Sequence, residues 1–391
     1  MVERERFLPQ RLGPLSERLC TLPFADPDDT ERFRSFTRLA SALFHVEFHE
    51  REQALLEEWE RDGHALAALL EEANYTAVSM AELDEAFETE SLIPLRLEVD
   101  LEDYDELMVF RRGAHVETVE VPRWRGLRRE EKEITVDDRV VVHTRVKPQE
   151  WFDEHGVDPA DRNLAPGHVS LKQFQNVPRA DVEMLLPSAT VKFRTIDTLM
   201  VGVPALVSGL IVLSTKLLPT LALIFVLAAA ALGFREERPE LDQTALVILF
   251  GGAVTLGGFL FKQWSKLKNR RLAYLKTLSE NLYFRTLGDG TGVLHTLLAS
   301  AEEQEVLEMI LGYRLLLAAP DGCTAAELDA AIESWLADDA GLDVDFEVDD
   351  AVDKLTDLEV ATVAGDRLVA RPLAEVLVAL DQRWDDLFRF A

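Results

Sequence analysis

The 36 residues from Leu199 to Phe234 contain a single ionisable group, Lys216, and no other feature restricts the fold so tightly. As one straight helix they would extend about 54 Å, well past a hydrocarbon layer of about 30 Å. Pro204, Pro219 and the polar triplet Ser214-Thr215-Lys216 interrupt the run, because proline removes a helical hydrogen bond and a buried lysine needs water or a partner. A second run, Thr244 to Phe261, holds 18 residues without a charge, and a short polar loop, 235–243, separates the two. The expectation is a hairpin in a bilayer: an interfacial or re-entrant segment at 199–215, then spans at about 217–234 and 244–261. Gly251, Gly252, Ala253, Gly257 and Gly258 give the second span small faces for close helix packing.

Charge at the outer ends assigns an orientation. Lys262, Lys266, Lys268, Arg270, Arg271 and Lys276 follow the second run with no acidic residue among them, while Lys172, Arg179, Lys192 and Arg194 precede the first. Positive flanks belong on the inner side, so the reading is a multi-pass cell-membrane protein with cytoplasmic N- and C-termini. The six cations from Lys262 to Lys276 are then contacts for anionic lipid headgroups, the bilayer being the expected partner. Lys216 reads first as a lysine snorkelling to the interface, with an intramembrane functional role as the alternative.

Composition narrows the partners further. Acidic residues number 71 against 41 basic, a formal charge of -30, which opposes any general grip on nucleic acid. Only 10 of the basic residues are lysines, a pattern that fits a halophilic, acidic proteome in which salt screens self-repulsion. Two distant cysteines, Cys20 and Cys323, exclude a disulfide framework or a paired-cysteine metal site.

Around the apolar centre the chain reads as α+β and mainly helical. Residues 1–95 form a helical region, with Phe33, Phe36, Leu39, Leu43, Phe44, Leu55, Leu56, Trp59 and Leu66 at helical spacing and a break near Asp62-Gly63. Residues 96–170 form a small antiparallel sheet with turns at Arg112-Gly113 and Asp137-Asp138. A connector occupies 171–198, the membrane region 199–261, and a basic juxtamembrane and helical region 262–319. Residues 320–391 give helix, helix, two-stranded wing and a final helix after Pro372, an order like a winged helix; its local charge, 19 acidic against 5 basic residues over 321–391, favours protein docking over DNA.

Few residues carry chemistry. His45 and His49 share a helix face as metal-binding histidines do, but the string His-Val-Glu-Phe-His misplaces the glutamate of a zinc protease. Arg111, Arg112, Arg123, Arg125, Arg128 and Arg129, interleaved with Phe110 and Trp124, could bind an anion or neutralise nearby carboxylates. Ser300 and Glu303, and again Thr324 and Glu327, have capping-box spacing. Glu302 and Glu305 could bridge a metal, though no ExxH partner accompanies them. No phosphate loop, nucleophile elbow or cysteine cluster occurs, so no catalytic residue, metal or cofactor is assigned.

The strings Leu171-Lys172-Gln173-Phe174, Val177-Pro178-Arg179-Ala180-Asp181, Glu183-Met184-Leu185-Leu186-Pro187, Asn281-Leu282-Tyr283-Phe284-Arg285 and Ala301-Glu302-Glu303-Gln304-Glu305 resemble the domain-of-unknown-function 3754 family. Its members include an animal mitochondrial protein, transmembrane protein 143. The resemblance extends from Phe7-Leu8-Pro9 to the C-terminal end and implies an integral membrane protein with domains on either side of a transmembrane pair. It brings no catalytic residue. Lys172, Phe174, Pro178, Asp181, Glu183, Pro187, Tyr283, Phe284, Glu302 and Glu305 are its motif residues. The functional expectation is a membrane-anchored scaffold or regulatory protein that meets a protein partner or a second copy of itself. A homo-oligomeric channel or transporter component and a membrane-bound enzyme with an unrecognised site are the alternatives.

Overall fold

A computed structural model describes residues 4–61, 63–88, 96–123, 128–192 and 243–387, together with 222 and 225. The helices are α1 (Leu12–Leu19), α2 (Asp29–Glu58), α3 (Gly63–Glu72), α4 (Met80–Glu88), α5 (Gln149–His155), α6 (Gln243–Arg285), α7 (Thr291–Leu316), α8 (Ala325–Trp335), α9 (Val348–Asp357) and α10 (Leu373–Asp386). The strands are β1 (Thr76–Ala77), β2 (Arg96–Glu98), β3 (Tyr104–Arg123), β4 (Arg128–Val146), β5 (Val169–Pro178), β6 (Thr190–Lys192), β7 (Thr286–Asp289), β8 (Ala361–Ala364) and β9 (Arg367–Ala370). Two compact units result. One holds 1–90, 100–187 and 285–391; the other holds 91–99 and 188–284.

In the first unit a five-stranded antiparallel sheet runs in the order β1-β3-β4-β5-β7. Its centre is a hairpin of strands 20 and 19 residues long. The two expected turns are not turns. Arg112 faces Arg139 and Ala114 faces Asp137, so both turn signals fall opposite one another inside continuous strands. Gly113 adopts φ +68° there, and a Cβ on it would come within 2.6 Å of an Asp138 carboxylate oxygen. A conformation open to glycine, where a side chain has no room, marks an irregularity across the hairpin.

Helices pack beside this sheet. Phe33, Phe36, Leu43, Phe44, Leu55, Trp59 and Leu66 are buried, with Leu39 and Leu56 packed at the margin. Each fully buried large side chain contributes about 1.5–3 kcal/mol through removal of apolar area from water. The Phe36 and Tyr313 rings stand 4.6 Å apart, joining α2 to α7. The C-terminal stretch forms α8, α9, the β8-β9 hairpin and α10, with Pro372 as the N-cap of the last helix. Thr324 and Glu327 make both bonds of a capping box. Ser300 and Glu303 make none, because both lie well inside α7.

In the second unit β2 pairs antiparallel with β6, and α6 runs for 43 residues. Among the described residues no helix is long and apolar enough to cross a membrane. The expected segments at 199–215 and 217–234, Lys216 included, lie outside the described residues apart from 222 and 225. The segment 244–261 is the first part of α6, which continues without a break through the basic stretch. What holds of the fold class is therefore a mostly helical chain with a small antiparallel sheet. The transmembrane hairpin, the bilayer as partner and the multi-pass topology with cytoplasmic ends all lose their premise. So do the membrane-anchored scaffold, the channel and the membrane-bound enzyme. Lys262, Lys266, Lys268 and Lys276 are exposed on α6; Lys268 lies 5.2 Å from the Trp264 ring centroid and Lys276 stands 3.5 Å from Glu280.

Candidate functional site

Every residue of α7 from Gln304 to Arg314 is buried. Polar groups removed from water must be paired inside the protein, since an unpaired one costs several kcal/mol. The Gln304 side chain accepts a hydrogen bond from the Leu8 backbone N–H at 2.9 Å and donates one to the Leu8 carbonyl at 3.1 Å. Arg314 donates to the carbonyls of Leu19 and Pro23 and lies 3.9 Å from the Phe24 ring centroid. Glu305 and Glu308 need a cation, and α9 supplies it.

Lys354 Nζ stands 2.6 Å from Glu308, 2.7 Å from Glu305 and 2.7 Å from Asp350. Asp350 sits one helical turn before Lys354, a spacing that brings both to one face. Gly312, one turn beyond Glu308, opens the helix pair for this approach: a Cβ there would come within 3.3 Å of Leu355 Cδ1. Burial pushes the Glu305 carboxyl up to about 7 against the pull of Lys354. Burial likewise raises Glu308. Desolvation works against the Lys354 charge, but Glu308, Glu305 and Asp350 together outweigh it and hold the ammonium above the ordinary lysine range. The three carboxylates converge closely enough to hold a metal ion, yet the ammonium occupies their meeting point. The cluster is therefore a filled cation site.

Asn74 links this cluster to the end of α3. It follows the end of α3 in the left-handed conformation, φ +57°, which asparagine tolerates better than most residues. Its amide donates to Glu308 at 2.8 Å and to Gln304 at 3.2 Å. Asn74 and Asp350 also line a cleft of about 940 Å³. One wall is the N-terminal segment Arg4-Glu5-Arg6, which lies along the C-terminal stretch as a parallel bridge between Glu5 and Val344. Arg4 pairs with Glu333 and Asp343, each at 2.9 Å, and Arg6 pairs with Glu347.

The cleft's charge is uneven. Its lining includes four arginines, Arg4, Arg6, Arg111 and Arg179, and six carboxylates, Glu5, Glu71, Glu72, Asp345, Glu347 and Asp350. All four arginines are engaged, the last two with Glu82 at 2.7 Å and the buried Asp137 at 2.9 Å. Glu71 and Asp345 form no ion pair among the described residues. Negative charge is what the cleft has to offer a ligand.

The expected residues scatter around this site. Glu302 and Glu305, taken together from the sequence, part company: Glu302 meets His45 at 3.1 Å on an exposed face, while Glu305 turns inward to Lys354. Lys172 sits in β5 with Phe174 and Pro178 buried beside it. Asp181 and Glu183 are buried in the short turn 179–185, and Pro187 is half-buried after it; none of these reaches the cleft, whereas their neighbour Arg179 does. Tyr283 and Phe284 are exposed on α6, their rings 5.3 Å apart. Of the arginine patch, Arg111 lines the cleft and Arg112 does not; Trp124 and Arg125 lie outside the described residues. Arg112 is buried between the rings of Phe7 and Tyr75, at 4.1 and 4.4 Å, and donates to the Ala73 carbonyl.

Sequence reasoning missed Asn74, Gln304, Glu308, Asp350 and Lys354. Two signals were available. Lys354 is the only lysine after Lys276, and Gln304, Glu305 and Glu308 are the polar residues in the otherwise apolar stretch 304–312. Residues 137–292 match a family described as "Protein of unknown function (DUF3754)". That stretch contains the motifs at 171–187 and 281–285 but not Phe7-Leu8-Pro9 or Ala301 to Glu305. No solved structure matches the chain.

Proposed function

That family brings no activity with it, and we propose from the cleft that the protein is a peptide-docking module. Its ligand is an extended segment carrying arginine or lysine. The observation that carries this reading is the state of the cleft's charges: every lining arginine is already paired, while Glu71 and Asp345 stand unpaired among the described residues. A cationic ligand meets attraction there, and an anionic one meets a surplus of carboxylates.

The protein's own N-terminal segment supports an extended peptide over a small cation. Arg4-Glu5-Arg6 pairs its backbone with the C-terminal stretch, the Asp345 N–H donating to the Glu5 carbonyl at 3.0 Å, and sends alternate arginines to carboxylates. Strand addition with side chains read at every second residue is a recurring mode of peptide recognition. The cleft continues beside this intramolecular strand.

Fluorescence anisotropy with a labelled peptide of alternating arginines tests the reading. Binding is expected to weaken by about tenfold or more, about 1.4 kcal/mol, in the Glu71→Gln, Asp345→Asn double variant, and to fall as salt rises. Equal binding of an acidic peptide, or an unchanged affinity in the double variant, overturns it.

A further inference from the structure

Residues 4–6 and residues 7–8 are held in different ways. The Leu8 side chain is buried, its backbone N–H and carbonyl both bond to Gln304, and the Phe7 ring lies 4.1 Å from the Arg112 guanidinium. Before this anchor the attachments lie at the surface. Arg4 is 44% exposed and meets Glu333 and Asp343; Arg6 is 58% exposed and meets Glu347. The backbone adds the bond from the Asp345 N–H to the Glu5 carbonyl, and the Glu5 carboxylate accepts one from the Gly113 N–H at 3.2 Å. Exposed ion pairs hold weakly, because water and salt compete for both partners. A segment attached mainly by them opens locally while its anchor stays folded.

We propose that Arg4-Glu5-Arg6 is an autoinhibitory strap, which fills part of the docking cleft in place of a basic peptide and is displaced when one binds. This rests on the docking reading above and adds its regulation. The strap lines the same cleft as the unpaired Glu71 and Asp345, so a ligand drawn to those carboxylates arrives beside it. It has the ligand's own chemistry, an extended strand with arginines at alternate positions. It also covers what a longer ligand would use: Glu333, Asp343 and Glu347 meet a second cation only after Arg4 and Arg6 leave them, and the Asp345 N–H is engaged by Glu5 until then. The tether at Phe7-Leu8 keeps the strap at high local concentration, so weak contacts suffice to compete with a free peptide. Apparent affinity is then reduced by the fraction of chains in which the strap is open.

Anisotropy of the labelled alternating-arginine peptide with the full chain tests the strap. The Arg4→Ala, Arg6→Ala double variant is expected to bind that peptide about fivefold or more tightly than the unaltered protein. Loss of two positive charges anywhere favours a cationic peptide, so the control is Arg38→Ala with Arg61→Ala, two exposed arginines outside the cleft; its affinity should change by less than about twofold. An unlabelled peptide of residues 1–6 should compete with the labelled one on the Arg4→Ala, Arg6→Ala chain. Circular dichroism confirms that each variant is folded, and Arg4→Gln with Arg6→Gln is the second, less disruptive variant. Equal binding by the unaltered protein and both folded strap variants, an equal gain in the control, or no competition by the 1–6 peptide overturns the strap and leaves docking standing. Absence of binding by every chain overturns the docking reading, and the strap with it.

Discussion

Glu302 and Glu305 lie less than one turn apart on α7, yet they stand in opposite physical settings. Glu302 faces α2 across an exposed seam and meets an imidazole; Glu305 is buried against α9 and shares an ammonium with Glu308 and Asp350. Water screens the first pair, so its formation or loss changes little. The second has given up hydration, so its partners must replace it or the charge must be neutralised. Burial, set by which helix covers which side of α7, decides how much a glutamate matters.

The largest effect is expected from removing the buried cation. Lys354→Met leaves Glu305 and Glu308 without their counter-charge and should cost about 3–5 kcal/mol of unfolding free energy, the cost of breaking a buried pair. The shift of the urea midpoint measures it. Adding Glu305→Gln and Glu308→Gln to the same chain should restore much of the loss, because no uncompensated charge remains. A loss under about 1 kcal/mol in the single variant, the size of an exposed ion pair, would erase the distinction between the two settings.

A pH series sharpens it next. The folded-state pKa of Glu305 is raised, to about 7 from an ordinary 4.5. The folded protein therefore holds this proton more tightly than the unfolded chain does. The resulting stability is fully present below pH 4.5 and disappears as pH rises through about 7. Glu52 on the exposed seam has the opposite sign: His295 foremost lowers its pKa, so its contribution is present above the ordinary carboxylate value and fades as pH falls. Glu305→Gln should accordingly gain stability relative to the unaltered protein between about pH 4.5 and 7, measured by urea denaturation at each pH. A difference that is flat across that window would mean that Glu305 titrates as an exposed glutamate does.

How much of this could be read beforehand follows from the range of the interactions. Helical spacing placed Phe33, Phe36, Leu43, Phe44 and Leu66 in the core, because a 3.6-residue period is a local property of the chain. Thr324 and Glu327 could be read as a cap for the same reason. The hairpin misled: Gly113 and Asp137-Asp138 carry turn chemistry, but here the signals face each other across paired strands and produce an irregularity in place of two reversals. The buried cluster was illegible because it joins residues 74, 304 to 308 and 350 to 354, which no spacing rule connects. The paired glutamates at 302 and 305 misled in the same way, since sequence proximity does not reveal which flank of α7 is covered.

The smallest expected effect completes the comparison. Glu302→Gln removes the charge facing His45 but keeps a side chain of the same shape, so α2 and α7 retain their packing. The imidazole is about 70% exposed and recovers water in place of the carboxylate, which makes the net cost that of an exposed ion pair, under about 1 kcal/mol. Paired urea titrations at low and high salt give a second measure: the Glu302 contribution should diminish as salt screens the pair, whereas the Lys354 contribution should persist. A Glu302→Gln cost that matches Lys354→Met and ignores salt would place the seam in the same desolvated class as the cluster, and the contrast between the two flanks of α7 would fail.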